Sequence, residues 1–140
     1  MPDPLPTPFP ITLVMCDGVH VDPYTGRRTL LGEFDEFFSP QFPASIPVVY
    51  VFAEVTECRG TLPVRIRFAP ADPEREPIWE TDPVELVADS PLVRLAMHWG
   101  LLDLSFPDPG VYMVQLIDSY DRVISQRCLF ITDQASGSRG

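Results

Sequence analysis

Hydrophobic and polar residues alternate with a period of two along much of this chain. Ile11, Leu13 and Met15 share one face of the first such segment, and residues 62–68 alternate apolar side chains with proline and arginine. Residues 48–55, VVYVFAEV, are instead apolar on both faces over most of their length. Alternation is typical of a strand with one buried face, and a short continuous apolar run indicates a strand buried on both faces.

Glycine, proline, aspartate and serine cluster between these segments and mark turns. Four further segments between such clusters have strand character: residues 28–34, 78–87, 111–117 and 122–131. The chain therefore predicts about seven or eight short strands separated by turns. This is the pattern of an all-β antiparallel sandwich or barrel.

Residues 90–100, SPLVRLAMHWG, fit two kinds of element. As a helix, the segment would have a serine cap, a proline at its first position and a terminal glycine. As a strand, it would direct four apolar side chains inward, namely Val93, Leu95, Met97 and Trp99. The strand pattern accounts for every position, and the neighbouring segments are strands, so we predict a strand here.

The stretch CDGVHVDPYTG, residues 16–26, combines polar side chains with turn chemistry. Asp22 can accept hydrogen bonds from the backbone, the following proline fixes φ, and Gly26 can adopt a positive φ. We therefore predict an antiparallel hairpin over residues 19–33. Asp17 interrupts the apolar face of the first strand, and the glycine after it indicates a β-bulge that turns the carboxylate away from the core.

The length of 140 residues and the hydrophobic content of 45% predict one globular domain. Residues 1–10 carry proline at every even position, which favours an extended arm. We expect the β-sandwich domain to span residues 11–132 and a small, polar, frayed tail to follow at 133–140.

The net charge of −10 makes nucleic acid and anionic membrane surfaces poor partners, because the chain repels phosphate.

All ten basic residues are arginine, and the absence of lysine and asparagine, which have A-rich codons, indicates a bacterial genome rich in GC. The beginning of the chain lacks the features of a signal peptide, and its three cysteines show no metal-binding spacing. We therefore expect a cytoplasmic protein.

The PGVY segment at residues 109–112 resembles the start of the penultimate strand in immunoglobulin-like and fibronectin-like sandwiches. In those domains a tyrosine near that point hydrogen-bonds back to the chain. Tyr112 is the matching residue. The resemblance implies an immunoglobulin-like sandwich or a related Greek key, with a backbone partner for the Tyr112 hydroxyl between about Leu102 and Pro109.

Most of the chain is also similar to a bacterial family of single-domain proteins of unknown function. The similarity lies in a D-x-x-T-G turn at residues 22–26, an LLG-F-D strand at 30–35, an FP loop at 42–43 and the FPDPGVY segment at 106–112. It implies a small all-β domain and supplies no activity.

Asp17, His20 and Asp22 lie close together in sequence and are candidate metal ligands. His20 and Asp22 would share a strand face, but no compact ligand motif is present. We interpret Asp17 and Asp22 as bulge and turn residues and keep a metal-dependent enzyme or sensor as the alternative. The chain has no GxSxG, P-loop or GxGxxG motif, so we expect a non-catalytic protein without a cofactor.

Two aromatic features are candidate binding surfaces. Trp79 and Trp99 would serve a carbohydrate-binding module if both rings were exposed and coplanar. The segment 34–47 holds four phenylalanines and three prolines, and we expect at least one of three rings, Phe37, Phe38 and Phe42, to be exposed. An exposed apolar patch marks protein contact, so the leading hypothesis is a binding or accessory module that engages a partner protein or self-associates.

Overall fold

A computed structural model describes residues 6–133 and folds them into two packed β-sheets without a helix. The strands of this part of the chain are β1 (Phe9–Val21), β2 (Arg28–Phe34), β3 (Glu36–Phe38), β4 (Ala44–Thr56), β5 (Gly60–Pro70), β6 (Trp79–Glu80), β7 (Val84–Ala88), β8 (Leu95–Phe106), β9 (Gly110–Asp118) and β10 (Val123–Thr132). No helix in the described range has the length and hydrophobicity needed to cross a bilayer.

The four-stranded sheet has the order β2-β1-β4-β8, and the six-stranded sheet has the order β3-β10-β9-β5-β6, with β7 also paired to β5. Neighbouring strands are antiparallel except for β3 and β10, which are parallel. The central strands, β1-β4-β8 against β10-β9-β5, have the arrangement of an immunoglobulin-like sandwich. The predicted fold class, an all-β antiparallel sandwich, is confirmed.

The core lies between the two sheets and is formed by alternate residues of each central strand. A row of aromatic rings runs through it from Trp79 through Phe68 and Phe106 to Tyr112, with centroid separations of 6.1, 6.3 and 4.9 Å. Edge-to-face and tilted contacts of this kind add to the free energy gained by removing the rings from water.

The first strand begins earlier than predicted, at Phe9, and Pro8 is already buried. Residues 1–5 of the predicted arm lie outside the described residues, as do residues 134–140 of the predicted tail.

The strand predicted for residues 90–100 is wrong over its first part. Residues 90–94 form a turn in which the Ser90 carbonyl accepts a hydrogen bond from the backbone N–H of Val93 at 3.1 Å. The Ser90 hydroxyl accepts another from the Leu92 N–H at 3.2 Å. Val93, predicted to face inward, is therefore exposed, and β8 begins at Leu95.

The strand predicted for residues 78–87 is divided into β6 and β7, with Pro83 between them. The side chain of Thr81 takes the place of a backbone partner, since its Oγ1 accepts the Ile66 N–H at 2.9 Å. Residues 6–133 therefore contain ten strands, more than the seven or eight that the sequence predicts. The difference comes from this division and from the short strand β3.

The β-bulge predicted at Asp17 is also wrong, because the pairing of β1 with β2 keeps one register along the whole hairpin. The irregularity of β1 lies instead between Pro10 and Thr12, where it pairs with β4. Asp17 is exposed, so it bears no burial cost that a bulge would need to relieve. Its carboxylate lies against Gly32, whose φ of +69° and missing side chain leave room for it.

The hairpin predicted for residues 19–33 is present, and its turn has the expected chemistry. Asp22 Oδ1 accepts hydrogen bonds from the backbone N–H groups of Tyr24 at 2.8 Å and Thr25 at 3.1 Å. Gly26 has a φ of +72°, which a residue with a side chain would adopt at a cost.

The end of this hairpin that carries the turn lies over the outer face of the four-stranded sheet. Arg28 Nε donates to His98 Nδ1 on β8 at 3.1 Å. Burial, and then the charge of Arg28, lower the pKa of His98. Phe52, on the outer face of β4, is covered and exposes only 8% of its surface, which explains why the 48–55 segment is apolar on both faces.

Tyr112 lies at the start of β9 and is buried. Its hydroxyl donates to the Asp108 carbonyl at 2.7 Å and is 3.4 Å from the Asp108 backbone nitrogen. Asp108 falls within the stretch that the sequence indicates for the partner of this hydroxyl.

Tyr112→Phe should lower the free energy of unfolding by about 1 kcal/mol, because the Asp108 carbonyl loses a buried donor while the ring packing is kept. Urea denaturation measures this difference. Tyr24→Phe is the matched control, since Tyr24 is 96% exposed and its change should have no effect. Equal stability of the Tyr112 variant and the native chain would mean that the hydroxyl hydrogen bond adds nothing and that Tyr112 stabilises the fold through ring packing alone.

Candidate functional site

The phenylalanine-rich segment is more ordered than the loop predicted from sequence. It crosses from the four-stranded sheet to the six-stranded sheet, forms β3 along β10, and enters β4 at Ala44. The Asp35 carbonyl accepts the Phe130 N–H at 2.8 Å, and the Ser39 N–H donates to the Thr132 carbonyl at 2.9 Å. These bonds fix the segment on both sides of β3.

The three phenylalanines predicted for partner binding differ in exposure. Phe38 exposes 43% of its surface, whereas Phe37 and Phe42 are half-buried against the core. Phe34, at the end of β2, is also half-buried against the core. The segment therefore contributes both to the core and to the surface.

A cleft of about 300 Å³ opens beside this segment, where β1 and β2 approach β3 and β4. We call it the phenylalanine cleft. Its apolar surface comes from Phe34, Phe37 and Ile46, and its polar surface includes three carboxylates, those of Asp17, Glu33 and Glu36. Gly32 completes the lining beside Asp17. The volume is at the lower end of the range of ligand sites, which suits one or two side chains of a partner.

One carboxylate of the phenylalanine cleft, that of Glu33, lies close to an arginine. Arg127 Nη2 lies 3.7 Å from Glu33 Oε1, and both side chains are substantially exposed. Arg127 Nη1 also donates to the Leu13 carbonyl at 3.3 Å, which ties the arginine to the backbone of β1. The cleft thus combines apolar side chains with a negative rim.

The edge of the six-stranded sheet adds a second feature to this surface. β3 is the terminal strand on its side of the sheet, so within the described residues no further strand pairs with its outer edge. An unpaired edge can accept an extended segment through backbone hydrogen bonds. Phe38 lies on this terminal strand.

Most of the chain matches a known protein family. A family model described as a family of unknown function (DUF6941) matches residues 11–124. The chain belongs to this family. No curated protein matches the chain. Among solved structures, an immunoglobulin-like protein from Pseudomonas aeruginosa is similar at 12% identity and a TM-score of 0.33, over 84% of this chain and 91% of that chain.

Family membership confirms the resemblance to a family of unknown function that the sequence motifs indicate. It assigns no chemistry to any residue.

The alternative metal ligands are distributed over different parts of the hairpin. Asp17 lines the phenylalanine cleft, His20 is exposed further along β1, and Asp22 Oδ1 accepts backbone hydrogen bonds in the turn. Between residues 6 and 133 no group of three or more His, Cys, Asp or Glu side chains is arranged to hold a metal ion. The geometry gives the metal-dependent alternative no support.

The tryptophans do not form the exposed coplanar pair that a flat carbohydrate platform requires. Trp79 exposes 37% of its surface, but Trp99 exposes 9% because it faces inward from β8.

Sequence reasoning also missed the acidic rim of the phenylalanine cleft. The sequence predicts a bulge at Asp17, and no local signal places this residue near Glu36, which lies on a different sheet.

Proposed function

We propose that this domain is a non-catalytic binding module, and that it contacts a partner protein through the phenylalanine cleft and the adjacent exposed ring of Phe38. The observation that carries the proposal is the apolar surface of Phe34, Phe37 and Ile46 in an open cleft at a sheet edge. The strands that flank the cleft are fixed by the sheets, so little conformational entropy is lost when a partner binds.

The charge of the cleft favours one kind of partner. A segment with an apolar side chain next to arginine or lysine would fill the cleft and pair with its carboxylates. The net charge of −10 would also attract a basic partner over a longer range. Self-association is less favourable, since it brings two acidic surfaces together. A cytoplasmic location, expected from the sequence, is part of this proposal.

The proposal can be tested by placing a photo-crosslinking amino acid at position 38 in the native host. The expected adduct is a partner protein crosslinked through a segment that contains an apolar residue beside arginine or lysine. The same probe at Tyr120, which is 62% exposed on the β9–β10 turn, is the control for nonspecific capture. Adducts that do not differ between the two positions would contradict the proposal, and adducts with a second copy would favour self-association.

Binding of the identified segment should then weaken by about tenfold in Phe38→Ser, the loss expected for an aromatic anchor. Glu33→Gln should weaken it less and should reduce its dependence on salt. Phe9→Ser is the matched control, because Phe9 is 58% exposed on β1 and lines no part of the cleft. Isothermal titration calorimetry measures all three variants, and unchanged affinity in Phe38→Ser would exclude this ring as the contact.

A further inference from the structure

A second cleft lies at the opposite edge of the four-stranded sheet, where β8 faces β6 and the start of β7. Its volume is about 350 Å³, and we call it the tryptophan cleft. Its lining includes Trp99 and Leu101 from β8, and Trp79, Thr81, Asp82 and Val84 from the other side. Both tryptophans of the chain are therefore part of one concave surface.

Trp99 supplies a hydrogen-bond donor without an acceptor. Its indole Nε1 is buried, and no atom of residues 6–133 accepts a hydrogen bond from it. A buried donor without a partner is costly, and such groups are uncommon in folded proteins. Trp99 is one of the residues that line the cleft, so a ligand in the cleft would be the nearest source of the acceptor that this donor lacks.

Trp79 supplies an aromatic surface that is held in place. Its ring packs against Phe68, with 6.1 Å between centroids, and still exposes 37% of the residue to solvent. The segment around it is fixed to β5 by hydrogen bonds of 2.9 Å from the N–H of Ile78 to the Phe68 carbonyl and from the N–H of Thr81 to the Ile66 carbonyl. The ring is therefore oriented before any ligand binds.

The polar side chains of the cleft define the charge of its ligand. Glu80 Oε2 accepts a hydrogen bond from Arg65 Nε at 3.2 Å. Asp82, in contrast, is exposed at the cleft and offers a carboxylate acceptor. The oxygen of the Thr81 hydroxyl accepts a backbone N–H, which leaves its own hydrogen to donate. The negative charge of Asp82 disfavours an anionic ligand.

We propose that the tryptophan cleft binds one or two rings of a neutral saccharide. The C–H face of a sugar ring would pack on Trp79, one hydroxyl oxygen would accept from Trp99 Nε1, and another hydroxyl would donate to Asp82. A sugar hydroxyl both donates and accepts, which matches the mixed polar lining, and the volume accommodates a ligand of this size. One exposed ring and one buried donor replace the pair of exposed rings that the carbohydrate-binding alternative required. The proposal does not depend on the phenylalanine cleft.

Intrinsic tryptophan fluorescence tests the proposal directly, because the only two tryptophans of the chain line this cleft. The protein is titrated with neutral saccharides, namely glucose, galactose, mannose, N-acetylglucosamine, maltose and cellobiose. At least one should produce a saturable change in emission. Galacturonate should bind more weakly than galactose, because its carboxylate is repelled by the negative charge of Asp82.

Three variants separate the roles of the side chains. Trp99→Phe keeps an aromatic ring but removes the donor, and Asp82→Asn changes an exposed residue with no effect expected on folding. Trp99→Phe should weaken binding of the best saccharide by about tenfold, the loss of one useful hydrogen bond. Asp82→Asn keeps an acceptor oxygen but loses the negative charge, so it should weaken binding by about threefold. Tyr24→Phe, at the far hairpin turn, should bind as the native chain does. Calorimetry measures the affinities, and thermal unfolding verifies that each variant is folded.

Three results would overturn the proposal: no saturable response to any neutral saccharide, equal affinity of the native chain and the Asp82→Asn variant, or tighter binding of galacturonate than of galactose. The Asp82→Asn result remains decisive if Trp99→Phe fails to fold.

Discussion

Asp118→Ala should lower the free energy of unfolding by about 2–4 kcal/mol, because several hydrogen bonds to one buried carboxylate are lost together. Asp118 ends β9 and is fully buried. Its Oδ1 accepts the N–H groups of Tyr120 at 2.9 Å and Arg122 at 3.0 Å, and its Oδ2 accepts Arg122 Nε at 2.7 Å. Alanine removes both carboxylate oxygens. The N–H groups of Tyr120 and Arg122 and the Arg122 side chain, all in the turn between β9 and β10, then lose this acceptor.

Urea denaturation of the variant and the native chain measures this loss. Asp118→Asn keeps the shape and one acceptor oxygen, so its loss should be intermediate. Asp89→Ala is the matched control, because Asp89 is exposed and its change should cost less than about 0.5 kcal/mol. If Asp118→Ala cost no more than this control, the carboxylate would not stabilise the turn.

Phe68→Ala should also cost about 3–5 kcal/mol, the range for deleting a buried aromatic side chain. Phe68 is fully buried on β5, and its ring contacts both Trp79 and Phe106. Its loss leaves a cavity in the middle of the aromatic row and removes the ring that holds Trp79. We therefore expect the emission of the folded variant to shift to longer wavelength as Trp79 becomes more solvated.

Thermal and urea unfolding give the stability of this variant, and fluorescence measured in a Trp99→Phe background, where Trp79 is the remaining tryptophan, gives the environment of Trp79. Phe68→Leu should lose about half as much stability, since much of the volume remains. Phe38→Ala is the control for removing a ring at an exposed position and should cost less than about 1 kcal/mol. An unshifted emission maximum in folded Phe68→Ala would mean that Phe68 does not position Trp79.

The elements that sequence predicts well are those defined by neighbouring residues. The alternation over residues 62–68 places four side chains of β5 in the core, because a strand directs successive side chains to opposite faces. The turn at Asp22 depends on one side chain and the backbone within three residues of it. Tyr112 is similar, since its partner lies four residues away.

The elements that sequence does not predict depend on contacts between distant segments. The segment at Asp118 has the composition of an exposed turn, and only the packing of β9 against β5 and β10 buries its carboxylate. The phenylalanine cleft combines residues of both sheets, and the tryptophan cleft joins β8 to β6. Neither cleft has a motif, because each is produced by sheet packing alone.

The parallel pairing of β3 with β10 has a consequence for protein synthesis. β3 leaves the ribosome well before β10, because six strands, β4 to β9, lie between them in the chain. Until β10 emerges, the backbone of β3 lacks its partner, and Phe37 lacks the neighbouring Ile131. The nascent chain therefore carries unpaired, phenylalanine-rich sequence while β4 to β9 are translated, a state that favours aggregation and binding by chaperones. The surface that would bind a partner is completed only after β10 has been made.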